Sequence, residues 1–565
     1  MSTVLSLSPR ADTAAACRAG LAIDRLINAW LRERLTGFMP VQGEGCVIDI
    51  GDARLHAHCL HRSPGGFHRW RLPIVIEDGG GASRQTSAAA PLASLMAKAM
   101  AQDGDASAQA MSQRLADALE QAERHGLVSA ARPADVSPLG LEQALWHGHP
   151  FHPFAKSIEG FSTDDIERFA PERGKAFQLR WILAERDVGA AVWRDSPTER
   201  RMRALLADLS GLSERIVGER ILIPAHPWQA ERLAKAPAFT ELAAQGRVLL
   251  TLPSGMAMQP TSSVRTVFAP GADIFLKLPI EARITNFART NPREHLARSM
   301  AASRALVAVR DQVAACGFDM LDEPAAMWID HPELDAITGV LLREAPACEA
   351  FVLAGLLEPS ARDGRPTLEV MGCDLSAPGD ALNWLLAYVQ KALLPPLRLF
   401  ARTGISVEAH GQNSLLALEK HHPLRLIVRD LEGISIDPSR FLQAAPALDL
   451  DPCVCLPSEE ARERLFYYLV SNHLNHVIAT VARMAGISET KLWQHAADML
   501  KAAQEDEETS RLIEALLSSA TLPAKANFTS CFSGRGERPD YVRIANPLHG
   551  GAQGHANRVS RAAGL

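Results

Sequence analysis

A cationic stretch interrupted by apolar residues, from Thr261 to Pro292, constrains this chain more than any other sequence feature. The stretch and the residue that follows it carry the cations Arg265, Lys277, Arg283, Arg289 and Arg293. Because apolar and β-branched residues separate these charges, the pattern is typical of paired strands with one buried face. A strand over Ile274–Leu278 would flank Lys277 with apolar neighbours, and we expect such a lysine to be held against a single anionic partner.

Short polar side chains accompany these cations, namely Ser262, Ser263, Thr266, Thr285, Asn286 and Thr290. Arginine forks, a lysine point charge and hydroxyl donors together are suited to binding phosphates and carboxylates. The stretch therefore predicts an anion site. The alternative interpretation is a β-meander whose charges lie at the surface.

A second feature is the segment from His147 to Lys156, which contains two His-Pro pairs. Each proline forces the histidine before it toward extended geometry, so the segment cannot be helical. We expect a rigid loop that presents His149, His152 and Lys156, and we interpret it as a cation-rich loop lining an anionic site. A metal site and a purely structural loop are the alternatives.

A third feature combines acidic residues with a histidine. Glu408, His410 and Gln412 recur at a period of two, which predicts that they share one face of an extended segment. Asp430 and Glu432 then follow a buried-type strand. Carboxylates of this kind are ligands for Mg²⁺, whose shell nucleotide phosphates often complete. Alone, acidic residues after a strand would indicate a turn. Beside the arginines and the lysine of the cationic stretch, they predict an ATP·Mg²⁺ site.

The expected elements are helices and strands in alternation. An amphipathic helix is predicted at 12–37, a helix with a break at Pro395-Pro396 at 378–402, and a helical end from Glu459 to Ser518. His226-Pro227 reads as a structural helix start. The chain has no P-loop pattern, no glycine-rich dinucleotide fingerprint and no G-x-S-x-G elbow, so side chains must hold any nucleotide.

Composition limits the class of protein. A length of 565 residues suggests three or four domains, and 47% hydrophobic with 22% charged residues is typical of a globular protein. The net charge of −6 argues against nucleic-acid and membrane-surface partners. Nine cysteines without a pattern, no secretion signal and no long apolar run predict a cytoplasmic protein.

An ordered set of motifs carries a family resemblance. The set is His149-Pro-x-His152-Pro-x-x-Lys156, His226-Pro-Trp-Gln229, Ser263-x-Arg265-Thr266, Lys277 with Arg283-Ile-Thr285-Asn286-x-x-Arg289, Glu408-x-His410-x-Gln412-Asn413, Arg429-Asp430 and Asn546-Pro-Leu548. Across residues 145–550 the chain resembles the IucA/IucC (aerobactin-synthetase-like) family of siderophore synthetases that act independently of nonribosomal peptide synthetases.

The resemblance implies an α/β (α+β) fold shaped as a cupped hand, with mixed and antiparallel sheets plus helices. Its parts would be a thumb-like domain at 1–160, a fingers-like domain with the cationic nucleotide site at 161–372, and a palm-like domain with the acidic and histidine cluster at 373–565. The resemblance also implies a homodimer.

The resemblance further implies site roles. ATP would be held by His149, His152, Lys156, Ser263, Arg265, Lys277, Arg289, Gln412 and Asn413. The substrate carboxylate would face Arg265, Thr285, Arg289 and His410, and Mg²⁺ would bind Glu408 and Asp430. The catalytic residues would be Arg265, Lys277, Arg289 and His410.

The implied reaction is ATP- and Mg²⁺-dependent adenylation of a carboxylate of citrate or a related acid, followed by condensation with an amine or alcohol. The implied products are AMP and pyrophosphate. The same chemistry on a monoacylated citrate or on α-ketoglutarate is one alternative. An ATP-dependent phosphotransferase and a non-catalytic nucleotide- or carboxylate-binding protein are alternatives of other classes.

Two positions depart from the family pattern. Ile158 stands where many relatives have an arginine, and Lys525 is followed by Ala-Asn-Phe rather than by aliphatic residues. Both departures bear on the acceptor or on a closing loop.

Overall fold

Helices and mainly antiparallel sheets alternate along the chain, which confirms the predicted α+β class with mixed and antiparallel sheets. The structure is a computed structural model, and it describes residues 9–34, 39–40, 45–100, 106–503, 506–533 and 539–549. The domain bounds at 160 and 372 stay predictions. Within the described part of the chain, no helix combines the length and the apolar character needed to cross a membrane.

The N-terminal part is a sequential antiparallel sheet covered by helices. Burial alternates along its strands because one face packs on the helices and the other faces outward. Its core also receives Phe154 and Phe528, so later parts of the chain close against it. The elements are α1 (Pro9–Arg34), β1 (Met39–Pro40), β2 (Gly45–Ile50), β3 (Ala53–His61), β4 (Arg69–Glu77), β5 (Ser83–Thr86), α2 (Ala89–Met100) and α3 (Ala106–Ala131).

Short helices and strands follow, and they surround a three-stranded sheet in the order β10-β8-β11. The elements are α4 (Pro138–Gln143), β6 (Ile158–Glu159), α5 (Thr163–Phe169), β7 (Phe177–Gln178), β8 (Arg180–Ala184), β9 (Gly189–Trp193), α6 (Ser196–Ser210), α7 (Glu214–Val217), β10 (Ile221–Ala225), α8 (Pro227–Leu233), α9 (Pro237–Ala244), β11 (Val248–Leu250) and β12 (Ala257–Pro260).

The central sheet has seven antiparallel strands in the order β7-β12-β13-β14-β19-β18-β9. A separate hairpin, β15–β16, contains the second half of the cationic stretch, and its strand β15 pairs with β6. The elements of this part are β13 (Thr266–Ala269), β14 (Ile274–Lys277), β15 (Ile280–Ile284), β16 (Phe287–Arg289), α10 (Arg293–Ala308), α11 (Arg310–Cys316), β17 (Asp319–Met320), β18 (Ala325–Ile329), α12 (Asp335–Thr338) and β19 (Val340–Glu344).

The C-terminal part packs helices around a four-stranded sheet in the order β17-β23-β22-β20, in which β17 and β23 are parallel. Its strands and first helices are β20 (Phe351–Val352), α13 (Leu353–Leu357), α14 (Thr367–Val370), α15 (Pro378–Tyr388), α16 (Leu394–Thr403), β21 (Ile405–Ser406), β22 (Ser414–Glu419), β23 (His422–Val428) and β24 (Ser435–Ile436). The rest are α17 (Pro438–Ala444), α18 (Ser458–Phe466), α19 (Asn475–Ala485), α20 (Glu489–Ala502), α21 (Glu507–Ser518), β25 (Thr521–Lys525), α22 (Asn527–Phe532) and β26 (Tyr541–Ala545).

Two π-helical segments interrupt these helices, Val389–Leu393 before α16 and Tyr467–Leu474 before α19. The first lies just before Pro395-Pro396, where the sequence predicts a break. The second contributes buried polar side chains, including Asn472 and His473, toward the candidate site. Insertions of this kind are frequent at functional sites because they redirect side chains.

Candidate active site

Strand β14 presents Lys277 to two carboxylates. The lysine is 2% exposed, and its Nζ donates to Oδ1 of Asp430 at 2.5 Å and to Oε2 of Glu432 at 2.9 Å. The prediction of a single anionic partner is therefore wrong. Burial alone would lower the pKa of Lys277, but the two carboxylates outweigh it and raise that pKa above its usual value.

Asp430 lies directly after β23 and is held by two cations. Its Oδ1 accepts from Lys277 and lies 3.2 Å from a guanidinium nitrogen of Arg343, which is itself paired with Glu323 at 2.5 Å. These cations keep the pKa of Asp430 far below its usual range, although burial acts in the opposite direction. Oδ2 has no partner among the described residues, so one carboxylate oxygen remains available for a ligand.

Glu408 is the carboxylate with the fewest partners in this group. Among the described residues, the one basic side chain within 4 Å of it is His410, whose Nε2 lies 3.9 Å from Oε1. The side chain packs against the turn after Asp430, because a Cβ added to Gly433 would stand 2.0 Å from Oε2 of Glu408. The carboxylates of Glu408 and Asp430 therefore lie on the same side of the site.

This carboxylate side fits Mg²⁺ in its donor chemistry. The described residues contain no group of three or more His, Cys, Asp or Glu side chains arranged to hold a metal. Mg²⁺ characteristically takes one or two protein carboxylates and completes its shell with phosphates and waters, so a protein cage is not required. Glu408 and Oδ2 of Asp430 supply two such oxygens.

Arg265 and Arg289 form the cationic side of the site. Nη1 of Arg265 donates to the carbonyl of Arg289 at 3.1 Å and to Oδ1 of Asn291. Nη2 of Arg289 donates to the carbonyl of Ile284 at 3.0 Å and to Oγ1 of Thr285 at 3.1 Å. Among the described residues neither guanidinium has a carboxylate within 4 Å. Burial and the neighbouring Arg265 lower the pKa of Arg289 to about 10.

Only part of the cationic stretch converges on the site. Arg283 lies on the same hairpin as Arg289 but is exposed. Arg293 is also exposed and pairs with Asp330 at 2.8 Å. The surface-charge interpretation therefore holds for these two arginines, while Arg265, Lys277 and Arg289 are drawn together by β14 and the β15–β16 hairpin.

Backbone strain accompanies these side chains. Val264, Thr285 and Asp430 have φ angles of 66°, 58° and 77°. Positive φ is unfavourable for residues with a Cβ, and for β-branched residues it is a genuine outlier that costs on the order of 1–3 kcal/mol. Val264 and Thr285 neighbour site side chains and Asp430 supplies one, whereas Asp273, Lys420 and His421 also have positive φ in the turns before β14 and β23.

Residues 408–413 form a turn, and the predicted extended segment is wrong at this point. The amide of His410 donates back to the carbonyl of Glu408 at 3.0 Å. The amides of Gln412 and Asn413 donate to Nδ1 of His410 at 3.2 and 3.3 Å. Because Nδ1 accepts two N–H groups, a neutral ring carries its proton on Nε2. Burial lowers the pKa of His410 and favours that neutral form.

Hydroxyl and amide groups close the space between the two sides. The Gln412 side chain donates to Oγ of Ser262 at 3.1 Å. Oγ of Ser263 accepts from the amide of Thr266 at 3.1 Å. Asn413 is buried beneath this turn. The contact with Ser262 places Gln412 beside the cationic stretch, to which Ser263 itself belongs.

The His-Pro segment is the predicted rigid loop, but it is not cation-rich. Nδ1 of His149 and Nδ1 of His152 each accept a backbone amide two residues ahead. Burial lowers the pKa of His149 well below its usual value, and burial with Arg289 lowers that of His152 to about 3. Lys156 is buried against Glu172. The loop therefore contributes neutral imidazoles and a lysine whose charge is already paired.

Several contacts at the site were not predicted, although the sequence motifs include Arg429 and Lys525 was noted as a departure from the family pattern. Arg429 binds Glu142 at 2.6 Å in a buried pair, and Arg343 binds Asp430. Lys525 donates to the hydroxyl of Tyr468 at 2.9 Å. A charged residue inside an apolar strand, as at Arg343, is visible in the sequence and indicates a buried ion pair. The sequence does not identify the partner of Arg343, which lies far away along the chain.

The chain is similar to known proteins along most of its length. The profile described as IucA / IucC family matches residues 137–358, and the profile described as Ferric iron reductase FhuF-like transporter matches residues 382–540. The L-2,3-diaminopropanoate--citrate ligase of Staphylococcus aureus is 33% identical over 93% of this chain and 95% of its own length. The rhizobactin siderophore biosynthesis protein RhbC of Rhizobium meliloti is 28% identical over 88% of this chain and 91% of its own length.

Solved structures share the fold. The ATP-bound aerobactin synthetase IucA of Klebsiella pneumoniae superposes with a TM-score of 0.83 at 23% identity, covering 94% of this chain and 99% of that one. At this level of identity, the likeness concerns the architecture.

Proposed function

This chain belongs to the IucA/IucC family of siderophore synthetases, and from that premise we propose that it is an ATP- and Mg²⁺-dependent ligase that adenylates a carboxylate of citrate. The observation that carries the proposal is the polarity of the site. Two guanidiniums without a carboxylate within 4 Å among the described residues, Arg265 and Arg289, lie within electrostatic range of Asp430, which has a free oxygen, and Arg289 also of Glu408. Such a site fits a polyanion together with a divalent cation.

The nucleotide phosphates are assigned to the cationic side. Arg265 and Arg289 offer planar forks to phosphate oxygens, and Ser263 offers a hydroxyl. We further assign Lys277, His149, His152, Gln412 and Asn413 to ATP. Lys277 reaches a phosphate only by sharing its charge with Asp430 and Glu432. Lys156 reaches one only by leaving Glu172, so its contribution is to close the loop.

The substrate carboxylate is assigned to Arg265, Thr285, Arg289 and His410. Arg289 and Thr285 already bind one another, so a carboxylate at this point meets a fixed guanidinium and a hydroxyl. The proton on Nε2 lets neutral His410 donate to a carboxylate oxygen. Lys525 adds a cation near Glu408, since that carboxylate partly offsets the burial that lowers the pKa of Lys525.

Mg²⁺ is assigned to Glu408 and Asp430. Bound there, the ion would supply positive charge that offsets the repulsion between ATP and a polycarboxylate. Glu408 and Asp430 would hold it by oxygen donors, and Lys277 and Arg343 keep Asp430 ionised for that role.

The reaction proceeds in two balanced steps. A citrate carboxylate oxygen bonds to the α-phosphorus of ATP while the bond to the bridging oxygen breaks, which releases pyrophosphate. The acceptor nitrogen or oxygen then bonds to the activated acyl carbon, loses its proton, and displaces AMP. Arg265, Lys277 and Arg289 stabilise the charge that develops at the phosphate in the first step. No enzyme nucleophile is required.

The acceptor is proposed as an amine or alcohol. The Staphylococcus aureus relative is named for citrate and diaminopropanoate, which favours an amine. A monoacylated citrate or α-ketoglutarate as acyl donor remains the alternative within the same chemistry. A homodimer in the cytoplasm, as the family resemblance implies, stays a prediction.

Product analysis tests this proposal against the other classes. The enzyme is incubated with ATP, Mg²⁺ and hydroxylamine, and citrate, α-ketoglutarate, succinate and a monoacylated citrate are offered in turn. We expect citrate-dependent AMP, pyrophosphate and a hydroxamate. ADP and phosphate would instead identify a phosphotransferase, and ATP binding without turnover on any acid or on a monoacylated citrate would identify a binding protein.

A further inference from the structure

A cavity of about 230 Å³ lies behind the His-Pro loop. Its walls come from α1, the loop before β4, the segment 357–369 and α19, and His147 and Pro150 form the side toward the loop. The residues assigned above to ATP, citrate and Mg²⁺ do not line it. Pockets for drug-sized ligands usually measure about 300–1,000 Å³, so this cavity suits a smaller molecule.

Four arginines line the cavity, Arg365 at its mouth and Arg25, Arg69 and Arg483 further in. Arg365 is paired with Asp363, and the other three give the interior its chemistry. Of these three, only Arg69 has a carboxylate partner among the described residues, with Asp24 at 2.8 Å. Nη1 of Arg25 binds the carbonyl of His147, and Nη2 of Arg483 binds Oγ1 of Thr480 at 3.2 Å. Two buried or half-buried guanidiniums therefore face the cavity without an ion pair.

Carboxylates act on these two guanidiniums only from beyond 4 Å, Glu358 on Arg25 and Glu489 with Asp24 on Arg483. His68, His147 and His476 line the cavity as neutral imidazoles, since burial lowers the pKa of each. At the mouth, Asp363 and Glu369 lie 2.9 and 3.6 Å from Arg365, so they are satisfied there. Burial of unpaired charge is costly unless a counter-charge is supplied. The missing counter-charge inside the cavity is an anion.

We infer that this cavity is a second anion-binding site, separate from the adenylating site, for a small multivalent oxyanion. Arginine forks bind carboxylates and phosphates by the same geometry, so a polycarboxylate and a phosphate are the two sources of that chemistry. The inference rests on the cavity and its charges and does not depend on the proposed reaction.

The first site must be disabled before the second can be measured. We therefore use the full-length Arg289→Ala variant without nucleotide and titrate it calorimetrically with citrate, inorganic phosphate and pyrophosphate. We expect about one equivalent of at least one anion to bind. Binding of citrate alone assigns a polycarboxylate, and binding of phosphate or pyrophosphate alone assigns a phosphate. No heat and no saturation with all three would overturn the inference.

A second substitution locates any bound anion. Adding Arg483→Gln to Arg289→Ala should weaken binding at least tenfold, and adding Arg483→Lys should weaken it less. Arg511→Gln is the matched control, because Arg511 is an exposed helix arginine paired with Glu507 and Glu508. Thr480→Met, which fills the cavity without removing charge, should also weaken binding and covers the case in which Arg483→Gln does not fold. Equal affinity in the Arg483, Thr480 and Arg511 variants would overturn the inference.

Discussion

Arg289 and Arg283 lie on the same hairpin in opposite surroundings. Arg289 is partly buried, binds Thr285 and has no carboxylate partner among the described residues, whereas Arg283 is exposed. We predict that Arg289→Ala lowers citrate-dependent pyrophosphate release about 10²–10³-fold, because it removes a preorganised charge from the phosphate that reacts. The measurement is the initial rate at saturating ATP.

Arg283→Ala is the matched control for this prediction. It removes the same charge from the same hairpin but from the solvent side, so its rate should stay within about twofold of the parent. A loss in Arg283→Ala as large as that in Arg289→Ala would contradict the assignment of Arg289.

Glu358 makes a second prediction at the residue scale. Burial raises its pKa to about 8, and its Oε1 accepts the amide of His147 at 2.5 Å. The folded state keeps a proton that the unfolded state loses above about pH 4.5, so this stabilisation is lost as pH rises toward 8. Glu358→Gln should remove that loss, which is at most about 1.4 kcal/mol per pH unit.

The readout is the unfolding midpoint of both proteins between pH 5 and 8.5. We expect the parent to lose stability relative to Glu358→Gln as pH rises. Parallel profiles for the two proteins would show that Glu358 ionises normally in the folded state.

Sequence identified the cations of the site better than their partners. The apolar setting of Lys277 correctly indicated a buried strand lysine. Its partners Asp430 and Glu432 lie 153 and 155 positions away, and pairing over such separations depends on tertiary structure. The same limitation hid the Arg343 contact and the pairing of Lys156 with Glu172.

At the scale of elements, the start of α8 tests a structural role. His226 is fully buried among aromatic rings, and its Nδ1 accepts the amide of Trp228 at 3.2 Å as the helix N-cap. We predict that His226→Ala lowers the free energy of unfolding by about 1 kcal/mol for the lost cap, with a further loss from the cavity. Turnover per folded molecule should be unchanged.

His226→Asn is the companion variant, because asparagine retains a side-chain cap acceptor. It should be more stable than His226→Ala when both are compared by thermal unfolding. Loss of turnover in either variant without loss of stability would contradict the structural role.

Sequence rules that depend on neighbouring residues, such as those for proline, correctly predicted features of the helices. The helix predicted at 378–402 is interrupted by the π-helical segment Val389–Leu393, and Pro395-Pro396 lies just after it in the first turn of α16. Pro227 occupies the first turn of α8. The alternation of Glu408, His410 and Gln412 led to the wrong prediction of an extended segment. A turn forms there instead, and Nδ1 of His410 closes it by accepting the amide of Gln412. Side-chain hydrogen bonds of this kind compete with strand geometry and are not visible as periodicity.

At the scale of the whole molecule, buried neutral histidines predict acid sensitivity. Burial lowers the pKa of His68, His125, His147, His149, His152, His226, His410, His473 and His476. In the unfolded chain each of these histidines is protonated below about pH 6.5, whereas in the folded chain it stays neutral to lower pH. The free energy of unfolding therefore falls as the pH is lowered. Glu358 acts in the opposite direction, because its raised pKa makes its contribution to stability larger at low pH than at high pH.

The measurement is the apparent unfolding temperature at pH 7.5, 6.5 and 5.5 at constant ionic strength. We expect a progressive decrease, with each histidine contributing up to about 1.4 kcal/mol per pH unit below pH 6.5. An unfolding temperature that stays constant or rises toward pH 5.5 would contradict the neutral, buried state of these side chains.

The site assembles residues from distant parts of the fold. Arg265 and Arg289 come from the middle of the chain, Glu408 and Asp430 from the C-terminal part, and the His-Pro loop from the segment after α4. The α+β class was predictable from alternating elements and the resemblance. The order of strands in the seven-stranded sheet was not, because pairing such as β14 with β19 joins segments about seventy residues apart.

Transfer of oxygen from citrate tests the central claim most directly. Citrate labelled with ¹⁸O in its carboxylates is incubated with ATP, Mg²⁺ and hydroxylamine, and the nucleotide and phosphate products are analysed by mass spectrometry. If a citrate oxygen attacks the α-phosphorus, one ¹⁸O appears in AMP and none in pyrophosphate. Label in inorganic phosphate together with unlabelled ADP would contradict adenylation and identify attack at the γ-phosphate.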